Sequence, residues 1–340
     1  MYKIMTAGPT QVRENVRMAR SLETTNPDLD VAFCEFYKET CDLLQELLHS
    51  SGTAYILGGE GILGLEAACA SLTEPGDRVL VLDNGIFGKG FADFAKMYGG
   101  EPVLFTSDYQ KPINAAELRA FLEKDSDFKY ATVVHCDTPS GVINDVSVIC
   151  PMLAEFGILS VVDSVAGMFG EYVNVDESQI DILCGGSQKA LSAPAGLTML
   201  WVSDKAMAAM ENRKTPIAAF YANILTFKTY YEDKWFPYTM PISDINGLRV
   251  AVDNVKAEPD IVERHAKIAA ATRQAVRKAG LSLYLKEGYA NTVTVIEVPD
   301  GLTDEQILST MRDKYNVMIS GCFDVLAGKV IRIGHMGENA

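Results

Sequence analysis

Short apolar runs alternate with helix-patterned stretches through much of this chain, and that alternation restricts its fold more than any other feature. The runs lie at 78–83 (RVLVLD), 102–106, 130–135 (YATVVH), 158–163 (ILSVVD), 180–184 and 197–202 (LTMLWV). They are apolar and β-branched throughout rather than alternating, as strands hidden on both faces must be. Helical patterns at 65–72, 88–97, 115–122 and 148–156 lie between them. Strands separated by helices predict a parallel sheet covered on both sides. Ligands of such sheets bind beyond the carboxyl ends of the strands. After about residue 245 the texture changes to a long helix (259–279), a strand (292–298), a helix (303–315) and a strand (330–333). This predicts a smaller α+β domain at 246–340.

Composition narrows the partners. The formal net charge of -15 disfavours nucleic acid and anionic membranes as main partners. No apolar run reaches the length of a membrane span, and the N-terminus does not read as a signal peptide. The cysteines number 7, with no CxxC pair, which fits reduced thiols in a cytoplasmic protein. The 4 histidines lack metal-ligand spacing, so no metal site is expected.

Five segments carry chemistry. In CGGSQKALSAPAG, Lys189 follows a predicted buried strand among small residues. A partly desolvated amine there has a lowered pKa and a free lone pair for imine formation, although a loop lysine can equally be solvated. Asp163 ends the run ILSVVD. A buried carboxylate at that strand tip can keep a pyridine nitrogen protonated, or simply cap a helix. LGGEGILGLEAACASL runs glycines into a helix whose N-terminus suits a phosphate. NGIFGKG sets Phe87 past a strand end, where it could stack on a planar ring. In VIRIGHMG, strand alternation turns Val330 and Arg332 to one face and Ile331 and Ile333 to the other. Arg332 then faces a cleft and can grip a carboxylate through two hydrogen bonds.

In order, type and spacing these segments resemble the fold-type I pyridoxal-phosphate enzymes. The likeness is to class V aminotransferases of the alanine–glyoxylate, serine–pyruvate and 2-aminoethylphosphonate–pyruvate group, from AGPTQV at the N-terminus to RIGHMG near the C-terminus. The resemblance implies a mostly parallel seven-stranded large domain (15–245), a small C-terminal domain and an N-terminal segment (1–14) at the active site. It implies a homodimer and pyridoxal 5'-phosphate held by Lys189 as a Schiff base. Asp163 pairs with the pyridine nitrogen, and Phe87 stacks on the ring. Glu60, Gly61, Ile62, Thr138 and Gln188 line the cofactor, and Thr239 reaches the partner subunit's phosphate. Gly8 and Arg332 bind a substrate such as alanine or serine, with pyruvate or glyoxylate as acceptor.

Several positions depart from the family pattern. Glu60 replaces a serine or threonine, and a carboxylate repels a phosphate. Phe236 stands where tyrosine is usual. Pro139 replaces a hydroxyl residue, leaving Asp137, Thr138 or Ser140 to approach the ring hydroxyl. A His-Arg pair is missing from TTNPDLDVAF. A 2-aminoethylphosphonate donor would want a second basic group, which the sequence does not place. Lyases and cysteine desulfurases usually carry histidine both before the lysine and at the stacking position. Gln188 and Phe87 stand there instead, favouring transamination. A non-enzymatic chain on the same scaffold would have no use for Lys189, Asp163 and Arg332 together.

Overall fold

A computed structural model describes residues 2–339. Its frame is a seven-stranded sheet of β1 (Thr53–Gly58), β2 (Arg78–Asp83), β3 (Glu101–Thr106), β4 (Tyr130–Val134), β5 (Leu159–Asp163), β6 (Ile182–Gly186) and β7 (Leu197–Val202). The spatial order is β1-β7-β6-β5-β4-β2-β3. All neighbours are parallel except β7, which runs antiparallel to β1 and β6. Every residue of β4, β6 and β7 is buried, which is why these runs carry no polar alternation. The seventh strand, β1, is the one the apolar runs did not single out.

Helices α1 (Glu14–Ala19), α2 (Val31–Leu47), α3 (Gly61–Leu72), α4 (Ile86–Met97), α5 (Ala115–Leu122), α6 (Val146–Glu155) and α7 (Asp204–Glu211) accompany the sheet. α3 packs on β6 and β7, α4 on β2, β3 and β4, and α2 on β1. Carboxylates at Asp30 and Asp145 cap α2 and α6 by accepting from Ala32 and Ser147 N–H, satisfying donors that a helix start leaves free. Helix α8 (Ile242–Lys256) spans residue 245 and packs on α1 and α2.

Beyond it, α9 (Ile261–Lys278) and α10 (Asp304–Tyr315) accompany an antiparallel pair, β8 (Val293–Glu297) and β9 (Val330–Gly334). Ile331 and Ile333 pack with Val276 and Ile296, whereas Val330 packs with Val295, Cys136 and Ala7. The predicted alternation along this strand is therefore present. Lys3–Ile4 pairs in parallel with Val317–Met318, so the N-terminus crosses the smaller sheet region before reaching the large sheet. No helix among the described residues is long and apolar enough to cross a membrane.

Candidate active site

The carboxyl ends of β2, β5 and β6 open into a cavity of about 260 Å³. Glu60, Ile62, Phe87, Thr138, Asp163, Gln188 and Lys189 line it, together with Leu65, Cys136, Val165 and Ala166. Seven expected site residues thus meet in one place. Val165 and Ala166 were within reach of sequence reasoning, since they lie two and three residues after Asp163. Cys136 and Leu65 carried no signal beyond ordinary core residues.

Lys189 lies just beyond β6. Its Nζ donates to Ala7 O at 2.6 Å, and Thr10 secures the lysine's backbone by donating to its carbonyl at 2.8 Å. Burial lowers the amine's pKa from its ordinary value, against the opposing pull of Cys136 and Asp163. A Cβ on Gly8 would stand 2.4 Å from Lys189 Nζ. At this position, with φ at +100°, a side chain is excluded both by space and by backbone conformation.

Asp163 ends β5, and its carboxyl is pushed up to about 7, chiefly by burial. Its Oδ1 accepts from Val165 N–H at 2.9 Å. The carboxylate therefore caps a turn, not the helix start that the sequence also allowed, and it lines the cavity as well. Behind it, His135 Nδ1 lies 2.9 Å from Ser164 Oγ, and burial pulls this imidazole down to about 4.

Asp137, Thr138 and Ser140 take separate positions. Asp137 accepts from Phe87 N–H at 3.1 Å and from Ser140 Oγ at 2.7 Å. It fixes the turn carrying Phe87 and engages Ser140, leaving Thr138 on the cavity wall. A Cβ on Gly85 would stand 2.4 Å from the Asp137 carboxyl carbon, so glycine permits that approach.

Glu60 caps α3. Its Oε1 accepts from Ile62 N–H at 3.2 Å, and its Oε2 accepts from Gln188 Nε2 at 2.9 Å. Gly61 presses on Val165, whose Cγ2 would lie 2.7 Å from an added Cβ. Gly61 does not line the cavity. Thr239 is also elsewhere: it is exposed and donates to Asp28 Oδ2 at 3.2 Å. Arg332 is 9% exposed and donates from Nε to Gly321 O at 2.7 Å. Burial lowers its pKa, while Cys322 and Asp137 oppose that shift. Among the described residues it forms no ion pair with Asp324, so a surface pairing does not account for its place.

A family model for class V aminotransferases matches residues 26–325. Pyridoxamine–pyruvate transaminase of Mesorhizobium japonicum is 36% identical over 341 positions, covering 99% of this chain and 86% of the relative. Serine–glyoxylate aminotransferase of Arabidopsis thaliana is 30% identical over 347 positions, covering 99% and 86%. The solved ureidoglycine–glyoxylate aminotransferase of Bacillus subtilis superposes with a TM-score of 0.96 at 29% identity, covering 100% of this chain and 88% of that one. The family match over most of the length and the fold agree: the chain belongs to the class V aminotransferases and is a transaminase.

Proposed function

We propose that this transaminase passes an amino group between a pyridoxal-type ring at Lys189 and a small 2-oxo acid, pyruvate or glyoxylate, bound by Arg332. When bound, the ring supplies an electron sink for breaking the Cα–H bond. Lys189 Nζ would hold the ring and, once released from it, would carry the proton between Cα and C4′. Asp163 would keep a proton at the pyridine nitrogen, and Phe87 would orient the ring. Arg332 receives the acceptor's carboxylate as a planar fork. Residues 1–14 border the lysine, 15–245 supply the ring-binding walls and 246–340 supply Arg332. Gln188 before the lysine and Phe87 at the stacking position disfavour the lyase and desulfurase alternatives.

One observation favours a particular form of the ring. Lys189, Asp163 and Phe87 suit a pyridine ring, but the far end of the cavity does not suit a phosphate. Ile62 N–H and Gln188 Nε2, two donors a phosphate would use, both go to Glu60. Gln188 Oε1 is buried and lacks a hydrogen-bond partner among the described residues. The Glu60 carboxylate therefore takes up both donors at this end. A phosphate dianion offers only acceptors and charge repulsion, whereas a hydroxymethyl group donates a hydrogen bond. Pyridoxamine without phosphate is then the amino donor itself: with pyruvate it gives pyridoxal and alanine. The Mesorhizobium relative is named for those substrates.

The second reading keeps pyridoxal 5'-phosphate as resident cofactor with alanine or serine as donor. The first turn of α3 at the cavity favours it, because free helix N–H groups suit a phosphate. Binding of pyridoxal and pyridoxal phosphate to the ring-free protein, followed by ring absorbance, distinguishes the two. The first reading expects wild type to prefer pyridoxal and Glu60→Ser to reverse that preference by at least about tenfold, a change of about 1.4 kcal/mol. Tighter phosphate binding by wild type would establish the second.

The catalytic unit in this proposal is a homodimer. Phe220, Tyr221, Trp235 and Leu29 are each more than half exposed. Tyr221 stacks on Tyr238, beside Thr239, and Thr239 reaches back to Asp28, beside Leu29. An apolar surface built this way suits a second copy, bringing Thr239 toward the partner's site.

A further inference from the structure

Arg332 is held by the chain that precedes its own strand. Its N–H donates to Ser320 O at 2.6 Å, and Ser320 N–H donates back at 3.1 Å. With Nε directed to Gly321 O, its terminal nitrogens have no hydrogen-bond partner among the described residues and are free for a ligand. The same loop is tied to both sides of the cavity. Ala7 N–H donates to Ser320 Oγ at 3.4 Å, beside the carbonyl that receives Lys189. Cys322 Sγ approaches Pro139 O at 3.8 Å, in the turn carrying Thr138.

Phe323 follows in this loop. Its ring centroid lies 6.0 Å from that of Phe87, edge-on at 68°. The Arg332 guanidinium carbon lies 5.8 Å from its centre. The side chain is nevertheless 44% exposed. It therefore adds little to the core, and its position between two site side chains calls for another account. The cation–π contact and the edge contact both restrain the ring's orientation, so it can act as a firm wall.

We propose that Phe323 determines which 2-oxo acid is accepted. The carboxylate on Arg332 and the oxo carbon at Lys189 fix two points of the acceptor. The Phe323 ring bounds the space left for the substituent on that carbon, admitting hydrogen or methyl and opposing longer chains. This rests on the function proposed above. An enlarged pocket merely gains burial of each added methylene, whereas a restrained wall imposes a steric penalty on it.

The test compares kcat/KM for glyoxylate, pyruvate, 2-oxobutyrate and 2-oxopentanoate in wild type, Phe323→Ala, Phe323→Leu and Phe323→Trp. The expected result is a rise of about tenfold or more in the 2-oxopentanoate-to-pyruvate ratio for Phe323→Ala, the scale of one methylene contact. Phe323→Leu should lie between, and Phe323→Trp should retain glyoxylate while losing pyruvate. Ring binding should be unchanged in all three. Ratios within about twofold of wild type, or an equal loss for every acceptor, would overturn the role, the latter by showing that Phe323 only supports Arg332. Wild-type transfer to pyruvate or glyoxylate tests the proposed function separately. If that transfer occurs while the ratios stay fixed, only Phe323 is excluded.

Discussion

Asp163 shows how one buried group can serve chemistry at a cost in stability. Burial raises its carboxyl to about 7, against about 3.9 in an unfolded chain. The folded state therefore binds this proton more tightly than the unfolded state. Stabilisation by that proton is complete below about pH 4 and fades as the pH rises through about 7. In the ring-free protein the full effect is on the order of 4 kcal/mol. Asp163→Asn carries no such titration. Its melting temperature should rise relative to wild type as the pH goes from about 4 to 8, which thermal scans across that range would check. A constant offset would mean that the carboxyl ionises normally. A bound pyridinium supplies the missing positive charge, so adding the ring should diminish the difference.

At the element scale, the decisive feature is the segment joining α9 to β8, which brings Arg332's sheet onto the large one. Ala290 N–H donates to Gly141 O at 2.8 Å, and Thr292 Oγ1 lies 3.3 Å from Cys136 Sγ, on the cavity wall. Between them Glu171 accepts from both Asn291 N–H and Asn291 Nδ2. This carboxyl is 7% exposed. Val295, three residues beyond Thr292, pairs with Arg332 across β8 and β9. Glu171→Ala leaves two donors without their acceptor and should destabilise the protein by roughly 2–4 kcal/mol, from the usual penalty for unpaired polar groups. Urea unfolding measures this directly, and an unchanged midpoint would exclude Glu171 as a structural tie. The element patterns anticipated α10 and β9 closely, because alternation and capping are local. They did not mark α2, α8 or β1, whose roles depend on what they pack against.

For the whole molecule, the expected assembly is a dimer at micromolar concentration in light scattering. Trp235→Asp should shift the equilibrium toward monomer and lower activity together with mass, because Thr239 is exposed and away from its own chain's cavity. A fully active monomer would refute the shared site. The acidic balance of -15 does not oppose a local anion site at Arg332, since burial there removes the screening solvent and raises the weight of the nearest charges.

The alternation of most strands and helices, the strand-end positions of Lys189 and Asp163, and the face of Arg332 opposite Ile331 and Ile333 were legible along the chain. Each follows from a periodicity or from a residue's distance past an apolar run, and both are local properties. The position of Glu60 was legible as a departure, but its consequence was not. Its bond to Gln188 joins residues 128 positions apart, a contact that only the packing of α3 against β6 and β7 creates. Phe323 gave no sequence signal either. It became meaningful when β9 and the loop before it were folded against Phe87, because an aromatic ring's role depends on the surfaces it meets and not on its neighbours in the chain.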